Sequence, residues 1–154
     1  MNLAKRRLRE DSANLLGSLL VTTLGLAPFS RADTEERERP DYHVFIDEFQ
    51  NFTTLSVANM ISELPKFHVG LVLAHQYLYQ FEPEIRHAVL GNVGTLASFR
   101  LGPEDAHIIA REFEPVFAPV DLVNLPNRDI YLKLMIDRAP SRPFSAGTLF
   151  PMRF

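Results

Sequence analysis

Apolar residues fall along this chain in short blocks of two kinds. Leu15, Leu16, Leu19, Leu20 and Leu24 recur at helical spacing. They predict a helix that Asp11 or Ser12 can cap, running to about Ala27 and stopped by Pro28. So apolar a helix is expected to be largely buried. Residues 30–40 mix acids and bases and read as a solvated linker. Tyr42 to Ile46 is a run of β-branched and aromatic residues too short for an ordinary helix, which predicts a buried strand. Thr53 or Thr54 can cap a second helix with Val57, Met60, Ile61 and Leu64 on one face, ended by Pro65. Val69 to Ala74 reads as a second continuous apolar strand. Pro83 opens a third helix through Ile85, Ala88 and Val89, with Gly91 as its stop. Thr95 to Leu101 reads as a third strand. Pro103, Glu104 and Asp105 then start a helix whose apolar face is Ala106, Ile109, Ala110 and Phe113.

Strands alternating with helices of this length imply the α/β class, a parallel sheet with flanking helices. The end of the chain changes character. Ile130 to Ile136 alternates in part, Asp137 to Pro140 is a turn pattern, and Ser141 to Leu149 can return as a second strand. This predicts a C-terminal β-hairpin over residues 126–150. A length of 154 residues suits one domain.

Composition narrows the function classes. Hydrophobic residues make up 46% and charged residues 23%, as in ordinary globular proteins. A net charge of −3 removes any global basic footprint for nucleic acid and leaves one local cluster, Lys5, Arg6, Arg7 and Arg9. The absence of cysteine excludes disulfides and cysteine–zinc sites, and suits a reducing compartment. Leu15 to Ala27 is interrupted by Gly17, Ser18, Thr22, Thr23 and Gly25, and is shorter than the roughly 20 apolar residues of a membrane span. The basic N-terminus runs into Glu10 and Asp11, with no apolar stretch of a signal peptide. No membrane segment and a cytoplasmic location are expected. The five histidines lack His-Glu-x-x-His spacing, and no Gly-x-Ser-x-Gly elbow occurs.

Candidate chemistry gathers at strand ends, where open parallel sheets bind ligands. The three strands run into Asp47-Glu48, His75-Gln76 and Arg100. An apolar strand ending in Asp-Glu is a Walker B pattern. Asp47 can hold the water shell of a Mg²⁺ ion carrying nucleoside phosphates, and Glu48 can polarise the attacking water. An acidic end to an ordinary strand has the same residues, so the neighbours decide. Gln76 can sense a γ-phosphate or the attacking water, or simply cap loose backbone. Arg100 can neutralise phosphate charge, or lie on the surface as a cation leaning on its apolar stem. A nucleotidase of this kind also needs a glycine-rich cradle ending in Gly-Lys-Ser/Thr. None of the seven glycines sits in that pattern; the chain is expected to start after it.

Taken together, Val44-Phe45-Ile46-Asp47-Glu48-Phe49-Gln50-Asn51-Phe52, Leu71-Val72-Leu73-Ala74-His75-Gln76-Tyr77-Leu78, Gly91-Asn92-Val93-Gly94-Thr95 through Arg100, and Pro140-Ser141-Arg142-Pro143-Phe144 carry a resemblance over nearly the whole chain. Asn2-Leu3-Ala4-Lys5 and the helix around Leu15 to Leu20 extend it. The chain resembles the C-terminal half of a RecA-like motor ATPase of the conjugative coupling group (TraD/TraG type, within the FtsK/HerA-like superfamily). The resemblance implies the C-terminal part of a RecA-like P-loop NTPase core, a partial domain over 1–154 with the Walker A half absent. It also implies ATP and Mg²⁺ as cofactors of the complete motor, and ATP-driven DNA movement by a ring, usually a hexamer, of full-length homologues or of this chain with its missing half. Asp47 and Glu48 match the nucleotide-side Walker B pair, Asp47 on the metal and Glu48 catalytic. Gln76 matches the sensor glutamine, and Arg100 is the further catalytic candidate. Relatives tend to carry Arg-Lys after the Walker B helix, where Pro65-Lys66 stands here.

Superfamily 1 helicases also carry Asp-Glu-x-Gln, but their second motif reads Gly-Asp-x-x-Gln where this chain has Leu73-Ala74-His75-Gln76. A non-catalytic interaction module, or the remnant of a split gene, is the alternative of another class. An upstream in-frame extension encoding Gly-Lys-Ser/Thr would discriminate them.

Overall fold

The strands Tyr42–Ile46 (β1) and Val69–Leu73 (β2) pair in parallel along their whole lengths, Tyr42 opposite Val69 and Ile46 opposite Leu73. They belong to the first of two compact units, Met1–Asn92 and Val93–Phe154. The computed structural model describes residues 10–52 and 60–149. The Lys5–Arg9 cluster and most of the helix expected from Thr53 lie outside them.

In the first unit, side chains alternate across the β1–β2 pair as the strand period requires. Val44, Ile46, Val69, Leu71 and Leu73 line an apolar core with Val21 and Leu24 of a long helix, Glu10–Leu26 (α1). A small apolar pocket of about 20 Å³ lies among these side chains. Phe45 and its register partner Val72 fall on the other face, where Phe45 is 74% exposed.

Helix α1 extends through Leu26 and passes at once into a 3₁₀ turn, Ala27–Arg31, that contains Pro28. It already includes Glu10, so Asp11 and Ser12 lie within it and not ahead of it. Its burial also differs from expectation. Gly17 and Gly25 are buried, while Leu15 is 65% and Leu19 58% exposed. The reason is steric. Gly17 lies against the Phe52 ring, and a Cβ on Gly25 would stand 2.7 Å from the Met60 sulfur. Glycines let the helix approach these side chains closely, which turns the leucine stripe outward.

The charged linker before β1 is mostly exposed, yet Arg39 fixes it. Its guanidinium donates to the carbonyls of Thr34 at 3.0 Å and Lys66 at 2.7 Å, and lies 5.1 Å from the Phe67 ring centroid. Residues 60–63 are helical and run into the 3₁₀ turn Leu64–Phe67, closed by His68 in the left-handed region at φ 59°. The predicted third helix is Pro83–Asn92 (α2), with Ile85 and Val89 buried.

The second unit is a three-stranded antiparallel sheet with two helices. Its strands are Leu96–Ser98 (β3), Asp129–Lys133 (β4) and Phe144–Gly147 (β7), in the order β3-β4-β7. Both pairings are antiparallel. Between β4 and β7, Met135–Ile136 (β5) and Ala139–Pro140 (β6) form a small hairpin. Asp137 and Arg138 turn it at φ 49° and 65°, the left-handed pair such tight turns require. The C-terminal hairpin is therefore present. The third strand is shorter than the predicted 95–101 and pairs antiparallel with β4. Pro103–Phe113 (α3) buries Ala106, Ile109, Ala110 and Phe113, as its periodicity predicts. A short helix, Pro119–Val123 (α4), follows; its Asp121 carboxylate accepts the Ala118 backbone N–H at 2.7 Å. The fully buried Leu122 joins Phe113 in the core, and the Phe117 and Tyr131 rings stack at 3.7 Å.

Candidate functional site

At the C-terminal end of β1 the chain makes a two-residue excursion. Ala74, just past β2, donates its N–H to the Ile46 carbonyl at 2.9 Å and accepts the Phe49 N–H at 2.9 Å. Ile46 and Phe49 are thus tied to one residue of the neighbouring strand, and Asp47 and Glu48 are displaced outward between them. Phe49 is fully buried and meets Phe81 edge-on at 5.7 Å, which anchors the far side of the excursion.

The geometry of the excursion falls on Glu48, whose φ is 53°. For a residue with a Cβ this left-handed conformation costs roughly 1–2 kcal/mol. The Asp47 carboxylate accepts the Glu48 backbone N–H at 2.9 Å, which steadies the turn. Both Glu48 carboxylate oxygens are engaged by neutral amides: Gln50 Nε2 donates to Oε2 at 2.5 Å, and Gln76 Nε2 donates to Oε1. Two amides from different strand ends therefore fix where this carboxylate points. Asp47 is exposed and Glu48 half-buried, so the pair faces solvent without being freely mobile.

The structure brings Asp47, Glu48 and Gln76 together within the first unit. Arg100 belongs to the second unit, where it lies exposed just past β3. His75, beside Gln76, packs edge-on against Phe81 at 5.3 Å, a packing contact in the anchor beneath the site. Lys66, of the Pro65-Lys66 pair, forms an ion pair with Glu63 at 2.8 Å. Sequence reasoning noted Gln50 without giving it a role. Its spacing two residues after Glu48, at the same strand end, was the available signal.

Among the described residues no group of three or more His, Asp or Glu side chains gathers to hold a metal ion. A cage built wholly of protein ligands is thus not formed there. Mg²⁺ is commonly held by one or two carboxylates together with phosphates and waters. The exposed Asp47, at a strand end and steadied by a backbone N–H, fits that lighter demand. Among the described residues no helix is long and apolar enough to cross a membrane.

No protein-family model matches the chain, and no curated protein matches it. Solved structures do. The bacterial conjugative coupling protein TrwB, in an unbound form lacking an N-terminal segment, superposes with a TM-score of 0.67 over 86% of this chain and 36% of that one, at 14% identity. The plasmid coupling protein TrwB in complex with the non-hydrolysable GTP analogue GDPNP superposes with a TM-score of 0.64 over 83% of this chain and 35% of that one, at 16% identity. The chain therefore has the fold of part of a coupling protein, the α/β arrangement its sequence implied, and spans about a third of the length of these structures.

Proposed function

We propose that this chain is the Walker B and sensor portion of a nucleotide-driven DNA motor of the conjugative coupling type. The observation that carries the reading is the convergence of the Gln76 and Gln50 amides on Glu48 at the end of a parallel strand pair. A carboxylate fixed between two amides at a strand end is what a positioned base requires, and strained backbone of this kind clusters at active sites. The coupling-protein fold supports the same reading, and one of those solved structures carries a guanine-nucleotide analogue.

In this reading Glu48 is the general base that polarises the attacking water. Gln50 and Gln76 orient its carboxylate, and Gln76 also reports the γ-phosphate, since an amide can donate to phosphate and accept from water. Asp47 orients a Mg²⁺ ion, which when bound with ATP neutralises phosphate charge. Arg100 supplies a cation toward phosphate, its target lying on a nucleotide shared in the assembled ring. The partners are the polypeptide carrying the phosphate cradle, further copies in a hexameric ring, and DNA; the setting is the cytoplasm.

Exposed apolar surface supports the need for such partners. Parallel sheets are normally covered on both faces, whereas Phe45 and Val72 lie open, as do Leu15 and Leu19 of α1. The same surface suits a non-catalytic interaction module, and hydrolysis separates the two readings. Joined to a segment carrying Gly-Lys-Ser/Thr, this chain should support magnesium-dependent ATP hydrolysis that Glu48→Gln removes while nucleotide binding stays. Binding and assembly with no turnover dependent on Glu48 would favour the module.

A further inference from the structure

One residue beyond Gln76 the chain presents two aromatic rings to solvent. Tyr77 is 45% and Tyr79 53% exposed, and their rings meet edge to face at 5.7 Å. Leu78, between them, and Phe81, two residues beyond, are buried, and the Phe81 N–H bonds to the Leu78 carbonyl at 3.0 Å. Phe81 in turn packs on Phe49 and His75. The two tyrosines are therefore displayed by a loop pinned from beneath to the same anchor that shapes the Asp47–Glu48 excursion. No lysine or arginine occurs from His75 to Ile85, and Glu82 and Glu84 are exposed beside the loop.

We infer that Tyr77 and Tyr79 form a stacking shelf for the bases of single-stranded nucleic acid. An exposed ring next to a second ring set on edge offers a base both a flat π-face and a lateral wall, and stacking of this kind tolerates any base. The segment from His75 to Ile85 carries no cation of its own, which sets the character of the contact. The segment's own side chains offer phosphate no attraction, so the shelf contributes base-dependent binding with little salt dependence, unlike binding through basic clusters. The inference takes its class of partner from the DNA-motor reading above. Because Tyr77 adjoins Gln76, and Gln76 bonds to Glu48, the shelf also places a strand next to the residue proposed to sense the nucleotide.

Fluorescence anisotropy tests it with the full 154-residue chain, a labelled oligothymidylate, an abasic strand of equal length, and free thymidine monophosphate as competitor. The oligothymidylate is expected to bind about fivefold or more tighter than the abasic strand, and replacing both Tyr77 and Tyr79 by alanine should abolish that difference. Tyr77→Phe with Tyr79→Phe should restore it, since phenylalanine keeps the π-face, and the ratio should hold as salt is raised. Equal binding of the two strands by the unaltered protein, no binding of either, or an unchanged ratio in the alanine variant would overturn the shelf. Competition by free thymidine monophosphate at concentrations well below those expected of a single stacked base would also overturn it, by marking a mononucleotide pocket. The Glu48→Gln variant should keep the strand preference in full, so failure of the shelf and failure of the hydrolytic reading remain separate results.

Discussion

The side-chain amide of Gln76 donates a hydrogen bond to the carboxylate of Glu48 across 28 positions of sequence. This bond joins the ends of two neighbouring parallel strands and holds a residue whose backbone lies in the left-handed region. Strain of this sort persists when the surroundings over-determine it. Here Ala74 supplies the constraint by binding the backbone on both sides of the excursion.

The strain has a stability signature that can be separated from loss of the carboxylate. Glu48→Ala and Glu48→Gly both remove the side-chain bonds, but only glycine relieves the left-handed backbone. The glycine variant should be more stable than the alanine variant by about 1–2 kcal/mol. Denaturant titration of the two proteins side by side measures this, and an alanine variant as stable as the glycine variant would rule out the conformation described.

Phe49 anchors the excursion, so its truncation should act on both stability and the site. Phe49→Ala is expected to cost about 3–5 kcal/mol, as for other fully buried aromatic residues, and to loosen the amide protons of Phe49 and Ala74. Hydrogen exchange reads both. Exchange at Ala74 unchanged in a destabilised variant would mean that the excursion does not depend on its anchor.

Tyr131 in the second unit gives a pH dependence of known sign. Burial, reinforced by the carboxylates of Asp121 and Asp129, raises its phenol above the ordinary value of 10.0. The unfolded chain therefore loses this proton first as pH rises. The stabilisation is intact below about pH 10 and disappears as pH climbs through the raised folded value. Melting curves across that range should show a decline that is smaller in Tyr131→Phe. An equal decline in both proteins would assign the alkaline loss to other groups.

DNA binding should carry a separable electrostatic part. With a net charge of −3, the Lys5, Arg6, Arg7 and Arg9 cluster is the main local source of cations, and binding by the chain is expected to be weak and to fall steeply with salt. Neutralising all four should flatten the plot of log affinity against log salt by about 0.7 for each single-strand phosphate that these side chains had neutralised. Tight binding in physiological salt that survives the change would contradict it.

Much of this arrangement was legible from residue order, for physical reasons that differ by element. Pro83 and Pro103 mark helix starts because proline suits a first turn, and α2 and α3 begin there. The Tyr42–Ile46 and Val69–Ala74 runs are too short for ordinary helices and rich in β-branched or other apolar residues, and they form strands that pair as parallel neighbours. The leucines of α1 misled because periodicity shows which residues share a face, not which face is covered. Gly17 and Gly25 decided that through close approach to Phe52 and Met60. Thr95–Leu101 read as a longer strand than β3, since pairing with β4, chosen by tertiary contacts, sets its length. At the site, Asp47, Glu48 and Gln76 were marked by their strand ends. The backbone sign at Glu48 and the role of Gln50 were not, because both follow from the double tie to Ala74.

The most direct test of Glu48 as the water-activating carboxylate is steady-state ATP hydrolysis with Mg²⁺, measured beside nucleotide binding. The 154-residue polypeptide alone should turn over no ATP above background, because none of its seven glycines lies in a phosphate-cradling pattern. Joined to a segment that carries the cradle, it should hydrolyse ATP. Glu48→Gln should then lower kcat by about a hundredfold or more with nucleotide affinity little changed, the pattern of a group acting only in the transition state. Hydrolysis that continues at the same rate in Glu48→Gln, or turnover by the polypeptide alone, would contradict the assignment.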